Sequence, residues 1–314
     1  MTTLADITTA ADRIAGRVHR TPTLSATSLG NVLGVRLHVK AELFQRTGSF
    51  KARGAVNAVL SLPEADRARG LVTMSAGHHA AALAYAAAAV GTTATVVMPA
   101  TANPGKIAAT KSYGGEVVLT AESLRDTMNA LRDERGLTVV HPFDDPAVVA
   151  GAGTVGLEIV DAVPDVDAVL LQVGGGGLLA GVAAAVKSLR PAALVYGVEP
   201  DGADAMTRAL AAGEPVDIRP VSVADALCAP YAGAATLPLV REHVERVVTV
   251  PDAAILDALR LLFERTKLAV EPAGAAGVAA LLTRAVDLPA GAHVVVVASG
   301  GNVDAATLAR LLVS

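Results

Sequence analysis

The stretch Asp167-Ala168-Val169-Leu170-Leu171-Gln172-Val173-Gly174-Gly175-Gly176-Gly177-Leu178-Leu179-Ala180 reads as a buried strand, a run of four glycines and the start of a helix. A short continuous apolar run of this kind suits a parallel strand covered on both faces. Similar runs occur at Leu71–Met74, Thr95–Met98, Glu116–Leu119, Thr138–His141, Val195–Val198 and His293–Ala298, with alanine- and leucine-rich helical stretches between them. Strand and helix patterns that alternate in this way define an α/β protein with open, mostly parallel, twisted sheets flanked by helices. Such sheets bind ligands beyond the carboxyl ends of their strands, which directs attention to Ser75, Gly174, Glu199 and Ser299. The regular section 50–141 is expected to form a small lobe inserted in a larger one built from 1–49 and 142–314.

Length and composition agree. A chain of 314 residues favours two lobes, and 52% hydrophobic with 18% charged residues describes a compact globule, not a disordered chain. A formal charge of −4 without a long basic run argues against nucleic acid or an anionic membrane as partner and favours a small molecule. The single cysteine, Cys228, forms no intrachain disulfide, and Met1–Asp6 lacks the pattern of a signal peptide. A cytoplasmic location is expected. The apolar run Ala80–Ala100 is broken at Gly91-Thr92-Thr93 and reads as a buried helix followed by a strand, not a membrane span. The abundant alanine and the 3% aromatic content point to coding bias and tight helix packing.

Four glycines between a strand and a helix let backbone N–H groups converge on an anion, with the positive end of the helix dipole behind them. Gly174–Gly177 is therefore expected to hold a phosphate. The match of Gly175, Gly177 and Ala180, with Glu199 further on, to a dinucleotide fingerprint is weak, since any glycine run satisfies it. No G-x-x-x-x-G-K-[ST] loop and no G-x-S-x-G elbow occurs, and the adjacent His78 and His79 lack the spacing of a zinc helix.

A second stretch, Gly48-Ser49-Phe50-Lys51-Ala52-Arg53-Gly54, places a lysine at a helix start, with Ser49 as expected N-cap. Most such lysines are solvated surface charges. A helix N-terminus and a neighbouring Arg53 would disfavour the ammonium and make Lys51 a nucleophile. A nucleophilic lysine, a phosphate cup and a hydroxyl at a strand end, Ser299, together suggest pyridoxal phosphate.

The segment Lys40–Ala55 resembles the lysine segment of the fold-type II pyridoxal-phosphate enzymes, of the serine/threonine dehydratase and serine racemase group. The resemblance extends through Ser75–His79, Gly151–Thr154, Gly174–Gly177, Val198–Pro200, Glu271–Gly274 and Ser299–Asn302, in order and over almost the whole chain. It implies a tryptophan synthase β-like fold. It also implies that Lys51 forms a Schiff base and takes the Cα proton, that Phe50 packs near the cofactor ring, and that Gly174, Gly175, Gly176, Gly177 and Leu178 surround the phosphate. Ser299 would hydrogen-bond the ring nitrogen, leaving it less protonated than a carboxylate would. Ser75, Ala76, Gly77, His78 and His79 would receive the substrate carboxylate, His78 would stand beside the cofactor's phenolic oxygen, and Glu271 would lie near the cofactor or the leaving group.

The activity implied is β-elimination from L-threonine or L-serine to a 2-oxo acid and ammonia. His78, Ala81 and Ala152 depart from the family's asparagine and two glutamines. These departures raise two alternatives, a dehydratase for a bulkier or acidic β-hydroxy amino acid and a catalytically silent cofactor-binding relative. Racemisation is the nearest rival, but the racemase serine maps onto Ala76. Glu199 and the Ala203 carbonyl match part of that branch's cation site, with Ala205 in the place of the second carboxylate, which makes a divalent or monovalent cation a weak expectation. A dinucleotide-dependent oxidoreductase would leave Lys51 and Ser299 unexplained. The chain's end at Ser314 implies no regulatory domain, so isoleucine feedback is not expected, and the resemblance alone implies a homodimer.

Overall fold

The computed structural model describes residues 1–313. Its strands are β1 Thr23–Ser25, β2 Arg36–Ala41, β3 Leu71–Met74, β4 Ala94–Pro99, β5 Glu116–Thr120, β6 Thr138–Val139, β7 Ala168–Gln172, β8 Leu194–Pro200, β9 Arg246–Val250 and β10 His293–Ala298. They form a six-stranded sheet, β1-β2-β10-β7-β8-β9, and a four-stranded sheet, β5-β4-β3-β6. Only the β1–β2 pair is antiparallel; the other pairs run parallel. All seven expected strands are present, and the run Ala80–Ala100 falls into the helix His78–Ala88 and β4.

Three strands escape a search for continuous apolar runs. Strand β2 reads Arg36-Leu37-His38-Val39-Lys40-Ala41, and Lys40 is fully buried because Glu158 lies 2.5 Å from its Nζ. Strands β1 and β9 are edges of the large sheet, where one side faces no neighbour and polar residues are tolerated.

Small residues set the spacing of the layers. The helices Pro146–Ala162 and Gly177–Leu189 cross with backbone against backbone. A Cβ added at Gly181 would stand 2.3 Å from Val149 O and 2.7 Å from Gly153 N, and one at Gly153 would stand 2.9 Å from Gly181 O. Close packing thus accounts for glycine at this crossing. Among the described residues, no helix is long and apolar enough to cross a membrane.

Candidate active site

Strands β10 and β7 pair as far as Val296 and Leu170 and then part, while β7 continues beside β8 to Gln172 and Val198. The chain leaves β7 and β8 on one side and β10 on the other, so a crevice opens at the carboxyl ends of the strands. A cavity of about 640 Å³ lies there and reaches across to the end of β3 in the small sheet. It is lined by Phe50, Lys51, Ser75, Ala76, Gly77, His78, His79, Gly174, Gly175, Gly176, Gly177, Leu178, Glu271 and Ser299. The residues singled out for catalysis, cofactor and substrate are thereby brought into one space.

Lys51 opens the helix Lys51–Ser61, and its Nζ donates to Pro142 O at 2.7 Å. No carboxylate is paired with it, and burial pushes its pKa from 10.5 down to about 8. Two expectations about this helix need correction. Ser49 does not cap it: the residue before Lys51 is Phe50, no side chain caps the helix, and Ser49 bridges to Gly300 in extended backbone. Nor does Arg53 depress Lys51. Its guanidinium points away into Glu42 (2.8 Å) and Glu158 (2.7 Å), which outweigh the burial that opposes its charge and raise its pKa. Desolvation alone brings the titration of the Lys51 amine down toward neutrality.

Two helix starts face the cavity with unused donors. The N–H groups of Gly174, Gly175 and Gly176 find no acceptor among the described residues, and the helix Gly177–Leu189 follows directly. In the second, Gly77 N donates to Ser75 Oγ at 3.1 Å, whereas the N–H groups of Ala76, His78 and His79 are left free at the start of His78–Ala88. Each is a site for an anion. The glycines of the first also serve packing. A Cβ at Gly175 would meet the Phe143 ring at 2.3 Å, and Gly176 combines φ +94° with Thr236 Oγ1 at 2.6 Å from such an atom.

His78 Nε2 lies 2.9 Å from Glu271 Oε2, within ion-pair range but without hydrogen-bond alignment, and Glu271 Oε1 is buried with no partner. His79 is fully enclosed. Its Nε2 faces Val140 O at 3.2 Å, and burial, helped by Lys51, pushes its pKa down to about 3, so it stays neutral. Glu199 lies outside the cavity lining. Its carboxylate accepts from Met206 N (2.7 Å), Thr207 N (2.9 Å) and Thr207 Oγ1 (2.7 Å), and so caps the helix Ala205–Ala212. Burial raises its pKa to about 7. Ala203, the other expected cation ligand, is buried. Among the described residues no cluster of three or more His, Cys, Asp or Glu side chains is placed to hold a metal ion.

Several cavity residues went unread in the sequence. Phe143 packs edge-on against His141 and Tyr231, with ring centroids 4.7 and 5.4 Å away. His141 Nδ1 accepts from Asp144 N at 2.9 Å, so its Nε2 carries the proton toward Tyr231 OH at 3.2 Å. Gln172, 3% exposed, ends β7 at the wall of the cavity. The available signal was scarcity: few aromatics occur in this chain, and Gln172 is the one polar side chain in an otherwise apolar strand.

Free N–H groups at a helix start, a buried amine with no carboxylate partner and a strand-end hydroxyl suit a cofactor that carries a phosphate, an aldehyde and a ring nitrogen. The fold and the site define an α/β enzyme that works through such a cofactor. The chain belongs to the pyridoxal-phosphate dependent enzyme family, whose model matches residues 14–300. It is 43% identical to the L-threonine ammonia-lyase of Geobacter sulfurreducens, over 95% of this chain and 75% of that one. It is also 43% identical to the phenylserine dehydratase of Ralstonia pickettii, over 99% and 97%. The structure of maize serine racemase superposes with a TM-score of 0.94 at 38% identity, covering 98% of this chain and 96% of that one. The architecture is that of the fold-type II enzymes.

Proposed function

We propose that this protein is an ammonia-lyase that removes the β-hydroxyl and then the amino group of a β-hydroxy amino acid, with L-threonine and L-serine as first candidates. The observation that carries the reading is a single one: a desolvated Lys51 amine with no carboxylate partner stands in one cavity with two helix starts that each present several N–H groups without an acceptor among the described residues. When bound, pyridoxal phosphate supplies the electron sink that makes the Cα proton of an amino acid removable.

The chain's own residues do the rest. Gly174–Gly177 would hold the phosphate, and the free N–H groups of Ala76, His78 and His79 would hold the substrate carboxylate. Phe50 would flank the cofactor ring, Leu178 would close over the phosphate, and Ser299 would face the ring nitrogen. Lys51, neutral above about pH 8, takes the proton from Cα at Nζ. His78 and Glu271, with Nε2 and Oε2 2.9 Å apart in the cavity lining, would stand by the departing hydroxyl. The boundaries 49/50 and 141/142 belong to this reading, supported by a small sheet built wholly from strands between Leu71 and Val139. So do a homodimeric assembly and a cytoplasmic location, which the resemblance and the lone Cys228 support.

A second reading concerns the side chain of the substrate. Phe50, Phe143 and Tyr231 line the same cavity in a chain with only 4 Phe and 4 Tyr, which favours a β-hydroxy amino acid with an aromatic substituent. Racemisation has the likeness to maize serine racemase in its support and Ala76, which offers no proton, against it. The test is to supply the cofactor-loaded protein with L-threonine, L-serine and L-threo-phenylserine, measuring 2-oxo acid, ammonia and loss of optical activity. Release of 2-oxo acid with ammonia is expected. Inversion without ammonia would turn the reading to racemase, and no reaction with any of the three would sink both.

A further inference from the structure

Thr47 holds a backbone conformation that its side chain disfavours. Among the described residues, three that are not glycine have positive φ: Thr47 (60°), Lys267 (62°) and Arg284 (55°). Lys267 and Arg284 follow the ends of the helices Asp252–Thr266 and Pro272–Leu282, where a left-handed residue is usual. Thr47 ends no α-helix and is β-branched, the type that takes this region least readily. Gly48 continues the turn with φ 73°, and the helix that begins with Lys51 follows closely. Such a turn persists only where its surroundings hold it. Here the holding group is Asn302, 255 residues along the chain, whose Nδ2 donates to Thr47 O at 2.8 Å. Thr47 O has no other partner among the described residues. Asn302 Oδ1 lies where a Cβ at residue 48 would stand, so the amide is set against the turn itself. Beyond it the two segments are zipped together. Gly301 N donates to Gly48 O at 3.1 Å, Phe50 N donates to Ser299 O at 3.1 Å, and Ser49 pairs with Gly300. Lys51 leaves one side of this zipper and Ser299 enters the other.

We propose that Asn302 is a positioning residue: by holding Thr47 left-handed it sets the place of Lys51 relative to Ser299, and so the fit of a cofactor that must reach both. The inference rests on the reading that Lys51 takes the cofactor's aldehyde and Ser299 faces its ring nitrogen. Asn302 is exposed and does not line the cavity, so loss of its amide leaves the cavity walls intact and acts through the turn. Without the clamp, Thr47 returns to the negative φ that a β-branched residue prefers, the turn opens, and Lys51 shifts. Small displacements of a reacting group are costly to rate. The free N–H groups of Ala76, His78 and His79 belong to another helix start and stay where they are, so binding of the amino acid's carboxylate is spared.

The experiment dilutes the holoenzyme into buffer without cofactor and follows the loss of bound pyridoxal phosphate by its visible band, with kcat and KM measured separately at saturating cofactor. Asn302→Ala should shorten the half-time of cofactor loss and lower kcat, each by about 5- to 10-fold, the scale of one hydrogen bond, and leave KM unchanged. Asn302→Asp, of the same shape but with no donor for Thr47 O, should behave alike. Thr47→Asn, a residue that accepts left-handed backbone, should restore both quantities in the Asn302→Ala background. Unchanged cofactor loss and kcat in Asn302→Ala overturn the proposal, and so does a rise in KM alone or a failure of Thr47→Asn to rescue. Lys51→Ala separates the underlying reading. A wild-type band that persists in it defeats the reading of Lys51 and the proposal together, whereas a band lost in Lys51→Ala beside an unaltered Asn302→Ala defeats the proposal alone. Should Asn302→Ala not fold, the double variant with Thr47→Asn decides, because a turn that needs no clamp should fold and keep its cofactor, and failure to do so overturns the proposal.

Discussion

Lys51 and Arg53 lie two residues apart in one helix, both enclosed by protein, and they meet opposite electrostatic fates. Arg53 enters a network with Glu42, Glu158 and Lys40, further tied by Thr21 and Thr154, in which each carboxylate faces a cation. Lys51 has a carbonyl, Pro142 O, and the Phe50 ring with its centroid 5.1 Å from Nζ, but no carboxylate. Burial opposes the charge on both, but carboxylates outweigh it for Arg53 and nothing does for Lys51. The difference teaches that local sequence does not set reactivity here. Partnering across the fold does, and one helix presents a fixed structural charge on one face and a chemically available amine on another.

The largest expected effect comes from removing the unpartnered amine. Lys51→Ala should lower turnover of the accepted substrate by about 10³-fold or more, as expected for loss of a positioned proton acceptor, measured on protein saturated with cofactor. Arg53→Met attacks the paired side. It strands Glu42 in the interior, leaves Glu158 with Lys40 as its cation, and should cost about 3–5 kcal/mol in denaturant unfolding.

The comparison sharpens with a substitution of opposite sign. Lys51→Met should stabilise the cofactor-free protein by about 1–3 kcal/mol at neutral pH, since a shift from 10.5 to about 8 measures the cost of burying the ammonium, discounted for the part that faces the cavity. The unfolded chain binds the extra proton between these values, so wild-type stability should rise from about pH 8 to 10.5 and the Lys51→Met variant should lack that rise. An unchanged profile would break the contrast.

Glu199 offers the smallest test and an intermediate case, a buried carboxylate held by a helix start and no cation. Its pKa is raised from 4.5 to about 7, so the folded state binds the extra proton between them. Stability from this group is full below pH 4.5 and is lost as pH rises through 7. Relative to Glu199→Gln, the wild type should lose about 1–3 kcal/mol over that range.

The fold was readable wherever strands are buried on both faces, as at Val294–Val297 or Ala168–Leu171. It was unreadable at β2, whose Lys40 looks like a surface charge until Glu158, far along the chain, is brought against it. The site was readable where chemistry demands a local pattern, the glycine run and the lysine at a helix start. Ser49 misled because the backbone turns at Thr47, with φ 60°, and leaves Ser49 extended. Gln172 and Tyr231 depend on partners more than sixty residues distant or on the other side of a crevice, and no spacing announces them.

The crossing at Gly153 and Gly181 bears on any attempt to reshape this pocket. Backbone touches backbone there, so the floor beneath the glycine cup has no side chains to trim and tolerates none added. Room for a larger substrate has to be cut elsewhere in the lining, as at Tyr231, whose supporting chain is a loop and not a helix clamped against another.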